Sequence, residues 1–287
     1  MLNCNRLCVG LGGGSLLQIA NRAKGQMMSY LIITPDGKTV VIDGGNQSEY
    51  DALNSYAELS KLNKKVDLWI MTHAHSDHYG ALLWLMKFLP KFDIEIAEMR
   101  FNFPAMGQFN IIEQGKKLLV EEFLENLQEK GIKYTPMKKD EVIIVGGMTL
   151  EILNDCARYE SYEKLTDAQI NETSIAFTAH FPKRDVLFLG DLAEEGGKHL
   201  LSTCSAEKLR CDIVQMAHHG QDGVDLSFYD VIKPKICLYC APDWLWDNDS
   251  GGGFDSGNWL TLQTRNYMEK LGVQVSCPHA YGDYLLF

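Results

Sequence analysis

The sequence lacks an apolar run that would cross a bilayer, which requires about 20 consecutive, mostly apolar residues. The longest candidate, residues 81–89, is too short and includes Lys87. Near the N-terminus, Arg6 precedes an apolar segment that loosely imitates a secretory signal, but glycines interrupt it. We therefore expect a cytoplasmic protein with no membrane partner, whose first segment forms a strand, a turn and a second strand.

An excess of basic residues is also absent. The 287 residues include 38 acidic and 27 basic side chains, for a formal net charge of -11. A protein that holds a polyanion by electrostatics alone needs a basic surface. The composition therefore argues against a dedicated nucleic-acid binder, although a local metal centre would still attract phosphates.

The sequence also lacks the high cysteine content of disulfide-rich domains. Eight cysteines in a chain of this length do not resemble the framework of a small disulfide-stapled domain. Cys237 and Cys240 form a C-x-x-C motif, which occurs in redox pairs and in halves of zinc sites. No second C-x-x-C accompanies it, and it lies inside the apolar segment I-C-L-Y-C-A. Reduced thiols packed in the core are therefore favoured.

Strand-like and helical segments alternate along the chain, without a short internal repeat or a low-complexity block. Pro35-Asp36-Gly37 separates two β-rich runs and predicts a hairpin, because proline presets φ and glycine supplies the left-handed position. Residues 94–103 are expected to form a single strand, and apolar spacing predicts the main helices at residues 48–63, 113–130, 194–203 and 260–271. Strands in both halves, with helices between them, suggest two sheets with helices outside.

One segment, residues 243–258, is rich in Gly, Asp and Ser and predicts a flexible loop. Trp244 and Trp246 within it are either a lid over a site or packed aromatic side chains, and packing is favoured.

A histidine cluster follows the apolar strand V-D-L-W-I-M-T. His73, His75, Asp77 and His78 place four potential metal ligands within six residues. In an extended backbone the alternate residues 73, 75 and 77 would point the same way, with His78 on the turn that follows. Imidazole nitrogen and carboxylate oxygen are ligands preferred by zinc and similar divalent ions. The cluster therefore predicts a metal site.

Two other strand ends offer further ligands. Asp191 ends the run V-L-F-L-G-D, and His218 and His219 follow D-I-V-Q-M-A. Asp191 has an alternative role as a helix cap, because A-E-E follows it shortly after. Three strand ends that carry ligand-type side chains nevertheless favour one shared site.

These residues, in this order, resemble a known superfamily. H-A-H-S-D-H is similar to the H-x-H-x-D-H signature of the metallo-β-lactamase fold, with Asp43 in V-V-I-D-G-G upstream and Asp191 and H-H-G downstream. N-E-T-S-I-A-F, V-L-F-L-G-D and A-H-H-G together resemble the C-terminal hydrolase domain of ComEC-type competence (DNA-uptake) proteins. The resemblance covers essentially the whole chain. It implies an α+β fold, a four-layer αββα sandwich of two mixed sheets, and one free-standing hydrolase domain over residues 1–287.

The resemblance also implies ligand roles. His73 and His75 would bind one metal position, Asp77 and His78 a second, and Asp191 would bridge both. A histidine of H-H-G would complete the second position, and His218 is preferred to His219 because it follows the strand directly.

The first metal position lacks a histidine that many relatives have. The corresponding region offers Asn171, while His180 is expected in an exposed turn. The first position is therefore expected to be weak, vacant or completed by water.

The expected activity is hydrolysis by hydroxide bound to one or two divalent ions, with zinc expected before manganese or iron. Asp77 or Asp191 would orient the water or accept its proton, and Asp43 would support a ligand histidine. Asn171 and Ser174 would polarise the substrate or fix a loop, or would only bond the backbone.

The expected substrate is a phosphodiester in a small molecule or a nucleic acid. The alternatives are a carbonyl substrate such as a lactone, thioester or other ester, and a non-catalytic metal-binding protein. Oligomeric state is not encoded in any pattern of the sequence.

Overall fold

The structure is a computed structural model that describes residues 4–7, 9–110 and 114–287. Its strands form two large sheets. The first contains, in spatial order, β1 (Cys4–Leu7), β17 (Asp283–Leu286), β2 (Ser15–Gln18), β3 (Ser29–Ile33), β4 (Thr39–Asp43), β6 (Leu68–Ile70), β8 (Met99–Arg100) and β9 (Tyr134–Thr135). The second contains β10 (Val142–Val145), β11 (Met148–Ile152), β12 (Phe177–His180), β13 (Asp185–Phe188), β14 (Ile213–Gln215), β15 (Ile236–Tyr239) and β16 (Val275–Pro278). A separate parallel pair joins β5 (Lys65–Val66) to β7 (Glu95–Ile96).

Both large sheets are mixed. In the first, β17, β2, β3 and β4 are antiparallel neighbours, whereas β4, β6, β8 and β9 run parallel. In the second, β10 to β13 are antiparallel and β13 to β16 are parallel. Parallel neighbours end at the same edge of a sheet, and this directs the loops after β4, β6, β13 and β14 to common edges.

The helices connect these strands. They are α1 (Glu49–Ser60), α2 (Ser76–Phe88), α3 (Gln114–Glu129), α4 (Asp167–Asn171), α5 (Glu194–Thr203), α6 (Ala206–Leu209), α7 (Leu226–Ile232), α8 (Asp243–Trp246) and α9 (Thr261–Lys270). Short 3-10 turns lie at Met106–Gln108, Ala157–Tyr159, Ala217–Gly220 and His279–Tyr281. In the described ranges, no helix has both the length and the apolar character that a bilayer span requires.

The layers follow from side chains that alternate along each strand. On β3, Tyr30 and Ile32 pack against the second sheet, where the Tyr30 and Phe188 rings lie 5.3 Å apart. Leu31 points the other way, into a core that includes Leu82 of α2. A third core lies outside the second sheet, between its strands and helices such as α5 and α7. The expected four-layer αββα sandwich is confirmed.

Most predicted elements are present. The hairpin joins β3 to β4 with Gly37 at φ +78°, and α5 spans 194–203 as expected. The first segment forms β1 and β2, which lie on either side of β17. Cys237 and Cys240 are fully buried free thiols, as the apolar context indicated.

Two predicted elements differ. The single strand expected near residues 94–103 is divided into β7 and β8, which belong to different sheets. The loop expected at 243–258 begins with the short helix α8, because residues 243–246 close one helical turn on Pro242 before the glycines begin.

Candidate metal centre

Four chain segments meet where the parallel strands end. Asp43 is the last residue of β4, and His73 lies shortly beyond β6. Asp191 follows β13 and His219 follows β14 in the second sheet. The sandwich therefore brings together ligand-type side chains from both sheets at one edge, as the sequence predicted.

The local geometry around His75 differs from the expected extended run. Helix α2 begins at Ser76, with His75 as its N-cap residue, so Asp77 and His78 lie in the first helical turn. The His78 amide donates to the His75 carbonyl at 3.0 Å. The expectation of a common direction for residues 73, 75 and 77 in one extended segment is wrong. The helix N-terminus instead favours the negative charge of Asp77.

The more complete group of candidate ligands comprises Asp77, His78, Asp191 and His219, whose potential ligand atoms all lie within 4.8 Å of one another. His219 Nε2 is 3.0 Å from Asp77 Oδ2 and 3.3 Å from Asp191 Oδ2. His78 Nε2 is also 3.3 Å from Asp191 Oδ2. Buried His78 Nε2 and Asp191 Oδ1 have no hydrogen-bond partner in the described chain. Buried polar atoms are normally satisfied, so this donor set fits a divalent cation.

A second group comprises His73, His75 and Asp191. His73 Nε2 lies 3.0 Å from His75 Nδ1 and 3.9 Å from Asp191 Oδ2. Asp191 belongs to both groups, which is the arrangement expected of a bridging carboxylate. Among the residues that the structure describes, no further histidine joins this group. It therefore offers fewer ligands than the group that contains His78.

The two histidines of the more complete group are oriented by contacts at their Nδ1 atoms. His78 Nδ1 lies 2.8 Å from Asp43 Oδ2, and His219 Nδ1 lies 3.0 Å from the Cys240 carbonyl. Each oxygen accepts a hydrogen bond from the Nδ1–H group, and in the neutral imidazole this leaves the Nε2 lone pair directed at the cluster. The Thr72 amide donates to Asp43 Oδ1 at 2.7 Å and fixes that carboxylate. Asp43 thus has the supporting position that the sequence suggested.

The buried carboxylates Asp77 and Asp191 favour a positive charge beside them, either on a neighbouring imidazole or on a bound cation. Burial lowers the pKa of His73 far below its ordinary value, and the neighbouring His78 charge lowers it further. Burial also opposes protonation of His78 and His219, but Asp191 and the nearby carboxylates outweigh it. The pKa of His78 is raised well above its ordinary value and that of His219 to about 10. Burial would raise the pKa of Asp77 and Asp191, yet these imidazoles hold both well below the ordinary range.

The preference for His218 over His219 is corrected by the structure. His218 and His219 both have left-handed backbone conformations, with φ of +49° and +59°. The chain therefore turns sharply after β14, and the second histidine, not the first, reaches Asp77. His218 Nε2 instead faces Asn171 Nδ2 at 3.3 Å, and its Nδ1 donates to the Asp222 carbonyl at 2.8 Å.

Asp191 does not cap a helix, because the N-cap of α5 is Ala193. The Asp191 amide donates to Ser174 Oγ at 2.9 Å, so Ser174 bonds the backbone and fixes the strand end. A Cβ at Gly190, which has φ of +55°, would lie 2.8 Å from Ser174 Cβ. Glycine at this position lets the ligand-bearing segment approach closely.

A pocket of about 270 Å³ opens beside the cluster. Its walls include the predicted residues His75, Asp77, Asn171, Asp191 and His218, and also Gln26, Asn46, Lys116 and Asp167. Asp167 Oδ1 lies 2.9 Å from His75 Nε2 and pairs with Lys116. Sequence reasoning missed this pair. The only local signal was the Thr166 capping box, which indicates that α4 begins here but not what its side chains contact.

The remaining candidates lie elsewhere. Trp246 packs 5.2 Å from the Tyr239 ring, and Trp244 Nε1 donates to the Lys24 carbonyl at 2.7 Å. The favoured packing interpretation therefore holds for both tryptophans, and neither belongs to the described lining of the pocket. His180 ends β12, where its Nδ1 lies 2.8 Å from Asp185 Oδ1. It is therefore a paired, partly buried strand residue, which corrects the expectation of an exposed turn.

Comparisons with known proteins relate parts of the chain to a known superfamily. Residues 23–107 match the family model of the metallo-beta-lactamase superfamily. The chain is also similar to ComE operon protein 3 of Bacillus subtilis (strain 168), with 22% identity over 179 residues. The matched region covers 62% of this chain but only 20% of that protein.

Solved structures share the fold at low sequence identity. The metallo-beta-lactamase fold protein YhfI of Bacillus subtilis superposes with a TM-score of 0.55 and 11% identity, over 94% of this chain and 98% of its own. CmlA, a diiron beta-hydroxylase from Streptomyces venezuelae, gives a TM-score of 0.52 and 12% identity, over 96% of this chain and 54% of its own. The chain thus has the metallo-β-lactamase fold and carries, over residues 23–107, the domain pattern of a superfamily whose members are generally metal-dependent hydrolases.

Proposed function

We propose that the chain is a divalent-metal-dependent hydrolase that cleaves a phosphodiester in a small molecule or a nucleic acid. The observation that carries the proposal is the buried group of Asp77, His78, Asp191 and His219, with unpaired ligand atoms at the wall of a pocket. When bound, a divalent cation lowers the pKa of water and polarises the oxygen under attack. Zinc is the metal that this nitrogen and oxygen set favours, with manganese and iron as alternatives to be tested.

The two carboxylates of this group have different surroundings. The Asp77 side chain is 20% exposed at the pocket, whereas that of Asp191 is 3% exposed. A group that exchanges protons with incoming water needs access to the pocket, so Asp77 is assigned to orient the water or accept its proton. Asp191, which is buried between the two ligand groups, is assigned to hold the metal.

Other pocket residues support an anionic substrate. Lys116 places an ammonium group at the pocket wall of a protein that is strongly acidic overall. Asn171, which is buried and in contact with His218, offers an amide for substrate contacts. The resemblance of N-E-T-S-I-A-F, V-L-F-L-G-D and A-H-H-G to ComEC-type competence (DNA-uptake) proteins is the reason for proposing a phosphodiester before a carbonyl substrate.

The test combines metal analysis with a substrate panel. The purified protein, loaded in turn with zinc, manganese or iron, is assayed on single- and double-stranded DNA, RNA, an aryl phosphodiester, a lactone, a thioester and an aryl ester. We expect phosphodiester cleavage that Asp77→Ala and His78→Ala abolish, whereas His180→Ala, a histidine outside the cluster, retains it. Cleavage of carbonyl substrates alone would overturn the phosphodiester assignment. Failure to retain any metal would overturn the hydrolase assignment as a whole.

A further inference from the structure

Asp167 is the first residue of α4 and lies beside the group formed by His73, His75 and Asp191. Thr166 caps this helix: its Oγ1 accepts from the Gln169 amide at 3.3 Å, and its own amide donates to Gln169 Oε1 at 2.9 Å. This reciprocal cap fixes the first helical residue, Asp167. Its carboxylate then reaches His75, with 2.9 Å between Oδ1 and Nε2.

The two ring nitrogens of His75 have different neighbours. Nδ1 faces His73 Nε2 at 3.0 Å, inside the ligand group. Nε2 is buried and has no hydrogen-bond partner within the described chain, and the Asp167 carboxylate lies beside it at ion-pairing distance. A neutral imidazole carries one proton, and a carboxylate beside Nε2 favours that proton on Nε2. The lone pair of Nδ1 is then directed towards His73 Nε2.

The same arrangement recurs at the other histidines of the cluster. In His78 and His219, the ring nitrogen that points away from the cluster also faces an oxygen. This oxygen belongs to the Asp43 carboxylate at His78 and to the Cys240 carbonyl at His219. His73 Nδ1 lies 3.2 Å from Thr72 Oγ1. Asp167 supplies the corresponding oxygen to His75. It differs from the other three in being half exposed and in coming from a helix at the pocket wall.

We propose that Asp167 is a positioning residue for the first metal position, where it holds His75 with Nδ1 directed at the metal. Among the residues that the structure describes, this position has only His73, His75 and Asp191 as candidate ligands, so its affinity depends strongly on the orientation of the two imidazole rings. The proposal rests on the metal-dependent part of the proposed function and is independent of the substrate. Partners of this kind typically change metal affinity by about 10- to 100-fold.

The test measures metal binding directly. Competition with a chromophoric chelator gives the number of zinc ions bound and the affinity of each, for the wild type, Asp167→Ala, Asp167→Asn and Glu163→Ala. Glu163 is an exposed acidic residue in the same segment, so its variant controls for the loss of one negative charge. We expect Asp167→Ala to weaken the weaker-binding ion about 10- to 100-fold and to leave the tighter ion unchanged. Asp167→Asn, which keeps one acceptor oxygen, should fall between Asp167→Ala and the wild type.

The contrary outcomes are distinct. Equal affinities for the wild type and Asp167→Ala, or an equal loss in Glu163→Ala, would overturn the positioning role. An unfolding midpoint unchanged in Asp167→Ala confirms that the altered affinity does not come from general destabilisation. If the protein binds both ions but cleaves no phosphodiester, the substrate proposal fails and the role of Asp167 stands.

Discussion

Replacement of Asp43 by asparagine should reduce metal affinity without removing any ligand. The Asp43 carboxylate accepts three kinds of hydrogen bond, from the Thr72 amide at 2.7 Å, from the Thr72 hydroxyl at 3.0 Å and from His78 Nδ1 at 2.8 Å. The residue has a left-handed backbone with φ of +56°, which asparagine tolerates better than most residues. Asp43→Asn therefore changes the hydrogen-bond pattern with little strain in the backbone.

The magnitude follows from the donors that remain. In Asp43→Asn the amide oxygen of the new side chain can still accept from the Thr72 amide, and its NH₂ group then faces the N–H of His78 Nδ1. Two donors cannot pair, so the neutral form of His78, which is the form that can bind a metal, would carry its proton on Nε2, the nitrogen that faces Asp77 and Asp191. A protonated Nε2 cannot ligate. We expect a 10- to 100-fold loss of affinity at the second position, or about 1.4–2.7 kcal/mol. The metal-free protein should lose about 1.5–3 kcal/mol from the charged hydrogen bonds.

The assay is chelator competition at fixed pH, together with urea unfolding of the metal-free protein. Asp67→Asn is the matched control, because Asp67 Oδ2 also accepts a backbone amide, from Thr39 at 2.9 Å, just before β6 and away from the histidines. Asp67→Asn should leave metal affinity within about twofold of the wild type. Folded Asp43→Asn protein with wild-type affinity would refute the argument that Asp43 sets the protonation of His78.

Three further predictions concern the same region. His219→Ala should lose the tighter-binding ion, measured by metal analysis after gel filtration, whereas His218→Ala should retain it; the reverse result would make His218 the ligand. Because the folded pKa of His219 is about 10 and its ordinary value is 6.5, its protonation stabilises the metal-free protein below pH 6.5, and this contribution is lost as pH rises towards 10. The urea midpoint of the protein freed of metal by a chelator should therefore decrease as the pH rises from 6.5 to 10. A midpoint that increases over this range in the wild type but not in His219→Ala would contradict the assigned charge. Gly80→Ala should cost about 1–3 kcal/mol or more, because its Cβ would lie 2.4 Å from the Gln47 amide nitrogen, whereas Gly115→Ala, with nothing within 4 Å, should be neutral or stabilising in the same unfolding assay.

Local patterns predicted the elements that local physics determines. The hairpin at Pro35-Asp36-Gly37 and the helix at 194–203 follow from turn chemistry and from apolar spacing, both of which act within a few residues. Helix α8 was missed because it is one turn long and its Asp- and Trp-rich sequence precedes a glycine-rich loop. The division of residues 94–103 between two sheets depends on partners in distant strands, which no local pattern reports.

The convergence of the candidate ligands from different strands could also be predicted from the sequence. Parallel strands end at a common edge, so His73, Asp191 and the H-H-G motif converge once the two sheets are assigned. Asp167 and Lys116 come from helices that cover this edge, and their contact with His75 depends on how the helices pack. Their positions therefore required the three-dimensional structure.

The choice between His218 and His219 shows where extrapolation from a strand fails. Continuing the alternation of β14 beyond its last residue, Gln215, is valid only while the backbone stays extended. Here the Met216 amide still pairs with Leu238, but His218 and His219 adopt positive φ, which is uncommon for residues other than glycine. That conformation costs about 1–3 kcal/mol at each residue. It is held by the contact of His218 Nδ1 with the Asp222 carbonyl and of His219 Nδ1 with the Cys240 carbonyl. The turn thus uses both imidazoles as structural donors, and it directs only the second towards Asp77 and Asp191.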